Sequence, residues 1–474
     1  MALGRRESER QQELWVATRD LAAAPRHVFY ERLNRILADA GFDKWVEDLC
    51  EEFYAGKGRP SIPPGTFFRM LFVGYFEGID SQRGIAWRCA DSLSLKKFLG
   101  LAAHEETPDH SSLSRIRWRL PREVFDAVFR FVLEIVGAHK LLDAKTVGVD
   151  STTLEANAAM KSIVRRESGE DWEEYLKRLA AADGVEIHSK ADLIRYDKDR
   201  NKKGKKKVSN EEWFSPSDPD ARIAKMKDGT THLAYKAEHV VDLKTEVILA
   251  AEIYHADQAD TATLAESLTK AQEHLDEACV YRDIEKAAAD KGYHSAEALV
   301  TCEETGYGGV KTYIPEPDSP WQRVWTDKPA SQRRAVYNNR RRTRRAYGKK
   351  LQRRRSEVVE RSFVHTCETG GARRSWLHQR ENVGKRYLMQ AAAHNLGLVL
   401  RKLLGAGKPR EFWAVCAALC ALWSVVRTHL ETFRACLHRK LDGRFRSARL
   451  AFALHSSAAV PTARRPNPHC STGC

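Results

Sequence analysis

The sequence lacks a long apolar run. Its longest uncharged apolar stretch, Phe412 to Val426, is shorter than the roughly 20 residues a membrane helix needs and reads as a buried or interfacial helix. The N-terminus, MALGRRESERQQELW, has neither an apolar core nor a small-residue cleavage site, so it does not read as a secretion signal. Cysteine occurs 10 times but without a framework. Cys416/Cys420 and Cys470/Cys474 have one-turn spacing, yet no His or carboxylate cluster beside them completes a metal set. Together these absences argue against a membrane protein, a disulfide scaffold and a zinc module. They leave a cytoplasmic chain with reduced thiols as the expectation. No internal repeat is present.

Acidic residues are also in short supply. Lys and Arg number 79 against 64 Asp and Glu, a formal net charge of +15 with a pI near 9.3, which points to a polyanionic partner, either nucleic acid or an acidic membrane surface. The imbalance peaks in SQRRAVYNNRRRTRRAYGKKLQRRR, where Ser331 to Arg355 holds 12 Lys or Arg and no acid. A solvated helix normally mixes signs to limit self-repulsion, so a block this one-sided costs stability unless phosphates neutralise it. Arg340, Arg341, Arg342, Arg344 and Arg345 are its candidate DNA contacts, with Tyr337 and Tyr347 placed to stack on bases; a disordered basic linker is the alternative, and it too would bind nucleic acid electrostatically.

What is present fills two or three domains, the expectation for 474 residues of which 42% are hydrophobic. From His27 to about Lys140 apolar residues recur at helical intervals. Within it, Thr107, Pro108 and Asp109 can cap and start a short helix carrying Arg115, Arg117 and Arg119, which suits a groove-reading helix-turn-helix and equally an amphipathic helix with solvated charges. Val147 to Val149 predicts a short buried strand ending at Asp150. Residues Ala159 to Arg200 look helical, and the lysine run from Lys202 to Lys207 looks like an exposed loop. Thr231 to Ala256 alternates like two paired strands, and Asp260 starts a helix through His274. KAAAD is a strand ending at Asp290, SAEALVTCEETG a helix, Gly309 to Pro317 a further strand, and SEVVERSFVHTCE a helix. The order implies a mixed α/β sheet.

Three acids stand out within this basic chain. Asp150 and Asp290 end predicted strands, and Glu360 lies beside the packed stripe of Val359 and Phe363, where it can face the sheet. Ligands gather at the ends of neighbouring strands in such folds, so the three would lie within a few Å of one another. Unneutralised they would repel, and a pair of divalent cations removes that penalty. Two such ions can activate an attacking oxygen and stabilise the leaving oxygen of a phosphodiester.

The segments VGVDSTTLEANAA, DPDARIAKMKDGTTHLAYKAEHVVD, AADKGYHSAEAL and RRRSEVVERSFVHTCETGGARRSWLHQRENVGKRYLMQAAAHNLG resemble blocks of bacterial insertion-sequence transposases of the DDE type. The helical stretch with PSIPPGTFFRMLFVGYF and PDHSSLSRIRWRL resembles their N-terminal domain, and the likeness covers roughly residues 27 to 404. It implies a ribonuclease-H-like mixed sheet flanked by helices, preceded by an all-helical N-terminal domain. It also implies two divalent ions, Mg²⁺ or Mn²⁺, held by Asp150, Asp290 and Glu360, with Glu357 as the fallback for the last role. The reaction implied is hydrolysis at the transposon end followed by attack of the freed 3′-hydroxyl on target DNA. Some relatives carry a Tyr, an Arg and a Lys around the catalytic Glu where this chain has Arg353, Ser356 and Cys367. Arg355 or Arg361 is then the candidate phosphate contact.

The domain plan that follows is a flexible N-terminus at 1–26, a helical DNA-binding domain at 27–140, and a catalytic domain at 141–405 with insertions at 155–230 and 318–355. A C-terminal helix and disordered tail occupy 406–474. The expected partners are the double-stranded DNA of transposon ends and target, engaged by a homodimer without a membrane and close to the nucleoid. A catalytically inactive DNA-binding relative and a structure-specific nuclease on the same core are the alternatives.

Overall fold

Among the described residues, seven helices precede the first strand: α1 (Val28–Asp39), α2 (Phe42–Cys50), α3 (Pro64–Glu77), α4 (Gln82–Ala90), α5 (Leu93–Phe98), α6 (His110–Arg119) and α7 (Arg122–Ala138). The protein is described here by a computed structural model covering residues 27–58, 61–202, 209–226, 229–304, 309–318, 323–412 and 417–434. The expected flexible N-terminus, the lysine run beyond Lys202 and the expected disordered tail lie outside these described residues.

Local chemistry explains the helix ends. Pro64 occupies the first turn of α3, where a missing N–H costs nothing, and Gly78 closes the helix at φ 69. Between them Phe67, Phe68, Met70, Phe72, Val73, Tyr75 and Phe76 are all buried, so α3 is the centre of the helical region rather than a surface helix. Asp109 caps α6 by accepting from the Ser111 N–H at 3.1 Å, as the sequence predicts.

The remaining elements are β1 (Thr146–Glu155), β2 (Val164–Arg165), α8 (Trp172–Ala182), α9 (Lys190–Lys202), β3 (Trp213–Phe214), β4 (Arg222–Lys225), β5 (Thr231–Asp242), β6 (Ile248–His255), α10 (Asp260–Glu277), β7 (Lys286–Ala289), α11 (Ala296–Glu304), β8 (Lys311–Tyr313), α12 (Ala330–Arg344), α13 (Ala346–Phe363) and α14 (Arg380–Leu404). The main sheet runs β4-β5-β1-β7-β8, with β6 also paired to β5. β1 is antiparallel to β5 and parallel to β7, and β7 is parallel to β8. The short pair β2 and β3 lies, like α8 and α9, in the insertion between β1 and β4.

One expectation is corrected here. Asp150 does not end its strand, because β5 continues to pair with β1 from Asp150 through Glu155. What stops near Asp150 is the other edge, where parallel pairing with β7 ends at Val149↔Ala289. The described residues up to Pro409 form one compact unit, and those from Arg410 onward form another. The reason is α14, whose long, almost wholly buried course packs against α7, α3 and β6 together.

In the C-terminal unit, a helix spans Ala417–Arg434. Of the expected buried or interfacial helix at Phe412 to Val426, the buried option is not found: Leu419, Leu422, Trp423 and Val426 are exposed, as are Leu430 and Phe433 further on, since no other described element of that unit covers them. No single described helix is long and apolar enough to cross a membrane.

α13 lies across one face of the sheet at Gly148. A Cβ at that position would stand 2.7 Å from Val359 Cγ2 and 2.7 Å from Leu243 Cδ2. Glycine thus permits the approach that places α13 over β1. Gly148→Ala is expected to lower unfolding free energy by about 1–3 kcal/mol through overpacking, measured by urea denaturation; an unchanged midpoint would show that α13 yields without strain.

Candidate active site

The period of a strand sorts the residues near Asp150 onto two faces. Gly148 points toward α13, and Asp150, two residues on, points the same way. In β7, Ala288 is registered with Gly148, and Asp290 follows two residues later on the same face. The two aspartates therefore stand side by side where the β1–β7 ladder ends. Asp290 caps the short turn Lys291–Tyr293, its Oδ1 accepting from the Lys291 N–H at 2.7 Å.

Electrostatics tie the pair to α13. Asp150 Oδ2 accepts from Arg355 Nη1 at 2.7 Å, and Oδ1 accepts from the Ser151 N–H at 2.8 Å. Burial pushes the Asp150 carboxyl above its ordinary range, with the charge of Asp290 adding to the rise and Arg355 opposing it. Arg355 is itself buried, and its Nε has no hydrogen-bond partner. A cation thus already neutralises the first aspartate.

Glu360 is placed differently from expectation. Arg355, Val358, Val359, Ser362 and Phe363 form the buried face of α13, and Glu360 is exposed. One residue beyond Val359 is a turn of about 100° on a helix, which carries the side chain to the flank. There Ser356 Oγ donates to Glu360 Oε1 at 2.9 Å. Gln352, Ser356 and Glu360 form one four-residue row, and Gln352 Nε2 donates to the carbonyls of Ala289 and Tyr313 at the ends of β7 and β8. Glu357 leans toward the other flank, held by Arg354 at 3.3 Å and Arg361 at 2.5 Å. Among the described residues no group of three His, Cys, Asp or Glu side chains is gathered for a metal ion, so the expected cluster of three acids is present as two plus an outlying Glu360.

The candidate DNA contacts also divide. Arg115 and Arg119 are exposed on α6, but Arg117 is only 7% exposed and faces the interior, with burial lowering its pKa to about 10. Its place in the buried stripe with Leu113 and Ile116 is the reason; a surface phosphate contact is not available to it. In the basic block, Arg340 grips Glu316 through two bonds of 2.6 and 3.0 Å, and Arg342 bonds the Thr312 carbonyl and Glu303. These two close α12 onto the end of the sheet. Arg341, Arg344, Arg345, Lys349, Lys350 and Arg353 are exposed. Arg361 pairs with Glu246 at 2.6 Å as well as with Glu357.

One group near the acids was not anticipated. His239 is registered opposite Asp150 and lies under α13, stacked on Phe363 with ring centroids 4.2 Å apart. Its Nδ1 is 2.8 Å from Ser362 Oγ and its Nε2 is 2.8 Å from the Tyr387 hydroxyl. Because Ser362 Oγ donates to the Val359 carbonyl at 2.7 Å, a consistent proton order has His239 Nδ1–H donating to Ser362 and Tyr387 donating to Nε2. Burial drives the His239 pKa down to about 3, which keeps the ring neutral for this arrangement. The adjacent polar pair Glu238 and His239, set in β5 between Ala237 and the apolar Val240 and Val241, is the sequence signal that could have marked it. Cys367, where some relatives carry Lys, is buried beside Tyr387.

Breaking the Asp150–Arg355 pair tests its strength. Arg355→Met leaves a part-buried carboxylate uncompensated and is expected to cost up to about 3–5 kcal/mol in denaturant unfolding at neutral pH. Adding Asp150→Asn should recover much of the loss; strictly additive losses would mean that the two groups do not interact.

A Transposase DDE domain model matches residues 142–396, and a Transposase domain (DUF772) model matches residues 19–119. No curated protein and no solved structure matches the chain. The mixed, helix-flanked sheet is accordingly of the ribonuclease-H-like transposase kind. With more than half its length in the first match, the chain belongs to the family of DDE transposases.

Proposed function

We propose that the protein binds the ends of an insertion sequence in double-stranded DNA, cuts them with the help of two divalent ions, and joins the freed ends to target DNA. The observation that carries the reading is the placement of Asp150 and Asp290 on one sheet face at the point where two parallel strands part. Their donor chemistry fits Mg²⁺ or Mn²⁺, which take a few carboxylate oxygens and fill the rest of their shell with water and phosphate oxygens.

Asp150 and Asp290 would hold the ions, and Glu360 would join them from the flank of α13 on leaving Ser356. Bound there, the ions would supply activation of the attacking oxygen and charge stabilisation of the leaving one. Arg355, buried and paired with Asp150, would stay beside the acids rather than reach a DNA phosphate. Glu357, already committed to Arg354 and Arg361, is the weaker candidate for the third ligand. The exposed residues of the basic block would track the DNA backbone, and a homodimer would bring two ends together.

Asn replacements keep the shape of each site and leave Arg355 an acceptor. Asp150→Asn and Asp290→Asn should abolish Mg²⁺-dependent nicking of DNA bearing the element's inverted ends, and Glu360→Gln should do so more than Glu357→Gln. Cutting at the parental rate by both Asn variants would refute the catalytic assignment. Cleavage without joining in a strand-transfer assay would identify a structure-specific nuclease, and binding without cleavage under any divalent ion an inactive relative.

The divided basic block gives a second test. Neutralising Arg341, Arg344, Arg345, Lys349, Lys350 and Arg353 should flatten the salt dependence of DNA affinity by about 0.9 log units per lost phosphate contact. Arg340→Gln and Arg342→Gln should instead lower the melting temperature with little change of slope. The opposite pattern would place DNA on the paired arginines.

A further inference from the structure

The far side of the sheet from α13 holds a second charged cluster that the site itself does not use. Lys236 and Glu238 of β5 are registered with Thr153 and Ser151 of β1, so both point away from Asp150. They are almost fully buried beneath the start of α10. Lys236 Nζ lies 2.8 Å from Asp260 Oδ1 and 3.3 Å from Glu238 Oε2. It also donates to Thr263 Oγ1 at 2.8 Å, and Thr263 in turn donates to Glu238 Oε2 at 2.7 Å. One ammonium thus joins two carboxylates.

Each carboxylate holds the chain next to one of the aspartates. Asp260 Oδ1 accepts from Ser151 Oγ at 3.1 Å, and Ser151 follows Asp150 directly. Glu238 Oε2 accepts from the Tyr293 hydroxyl at 2.9 Å, and Tyr293 closes the turn that Asp290 caps. The ladder between β1 and β7 ends one residue before both aspartates, so backbone pairing leaves their separation open. Gly292 fits the same turn against Asp260, since a Cβ there would stand 2.9 Å from Asp260 Oδ2.

We propose that Lys236, Glu238 and Asp260 are positioning residues that set the distance between Asp150 and Asp290 from behind the sheet, through Ser151 and Tyr293. The inference rests on the metal-holding role proposed for the two aspartates. A gap held by buried charge is rigid, because any change of it would have to separate Lys236 from one of its two partners. Ions held by both aspartates would need that gap fixed before they arrive.

The test is Mn²⁺ binding to the full chain without DNA, followed by titration calorimetry, with melting temperature measured in parallel. Tyr293→Phe and Ser151→Ala each delete one hydroxyl and leave the charged cluster whole. Their double variant should bind Mn²⁺ about 10- to 100-fold more weakly while melting close to the parent, and Asp290→Asn should weaken binding as a control on the site. Parental Mn²⁺ affinity in the double variant would overturn the inference alone. A folded parent chain that binds no Mn²⁺ would overturn the metal-holding reading and this inference with it. Lys236→Met severs both links and should weaken binding further; were it to unfold, the hydroxyl variants still decide.

Discussion

The arrangement depends on where one parallel ladder stops. β1 and β7 run together as far as Val149 and Ala289, and both chains then leave the pairing with a carboxylate on the same face. Bringing two like charges to that point is unfavourable in a partly buried place, and the surroundings are organised around the penalty. Arg355 reaches in from α13 to one of them, the turn N–H of Lys291 satisfies the other, and Gly148 lets the helix approach closely enough for the arginine to reach. The basic character of the chain as a whole sets the background, but this compensation is local and stereospecific.

α13 connects that chemistry to the rest of the molecule. Its inner face meets the sheet through Arg355, Val359 and Ser362, and neutral His239 and Tyr387 continue the contact to α14. One flank leads through Arg354 and Arg361 to Glu246 in the turn between β5 and β6. The other carries Gln352, Ser356 and Glu360 from the ends of β7 and β8. The helix is therefore located by several independent contacts, while the carboxylate of Glu360 is exposed and bonded to Ser356 of the same helix.

Much of this was legible from residues. The Val147 to Val149 run, the alternation from Thr231 to Ala256, the strand before Asp290 and the capped helix at His110 all appear where pattern and end signals place them. Strand termini were less legible, because β1 persists past Asp150 only through its pairing with β5, a partner some 80 residues away in sequence. Helix faces were the hardest. Nothing local distinguishes Arg117, which turns inward, from Arg115 and Arg119, or Arg340 and Arg342, which brace α12, from the exposed arginines between and after them. Likewise Glu360 sits one residue from the packed stripe, and a single residue on a helix decides between core and flank. The polar residues of β5 were visible in the sequence, but their role needed the registers that put Ser151 and Asp150 on opposite faces.

The course of α14 has a practical corollary for engineering. Because this one helix is shared by the N-terminal helices and by β6, the two regions are not cassettes that can be exchanged at a linker. A chimaera that imported helices from another protein at residue 140 would leave the α14 faces that pack on α7, α3 and α1 against a foreign neighbour. Retargeting by domain fusion would have to begin outside residue 409 or redesign that helix on both of its sides.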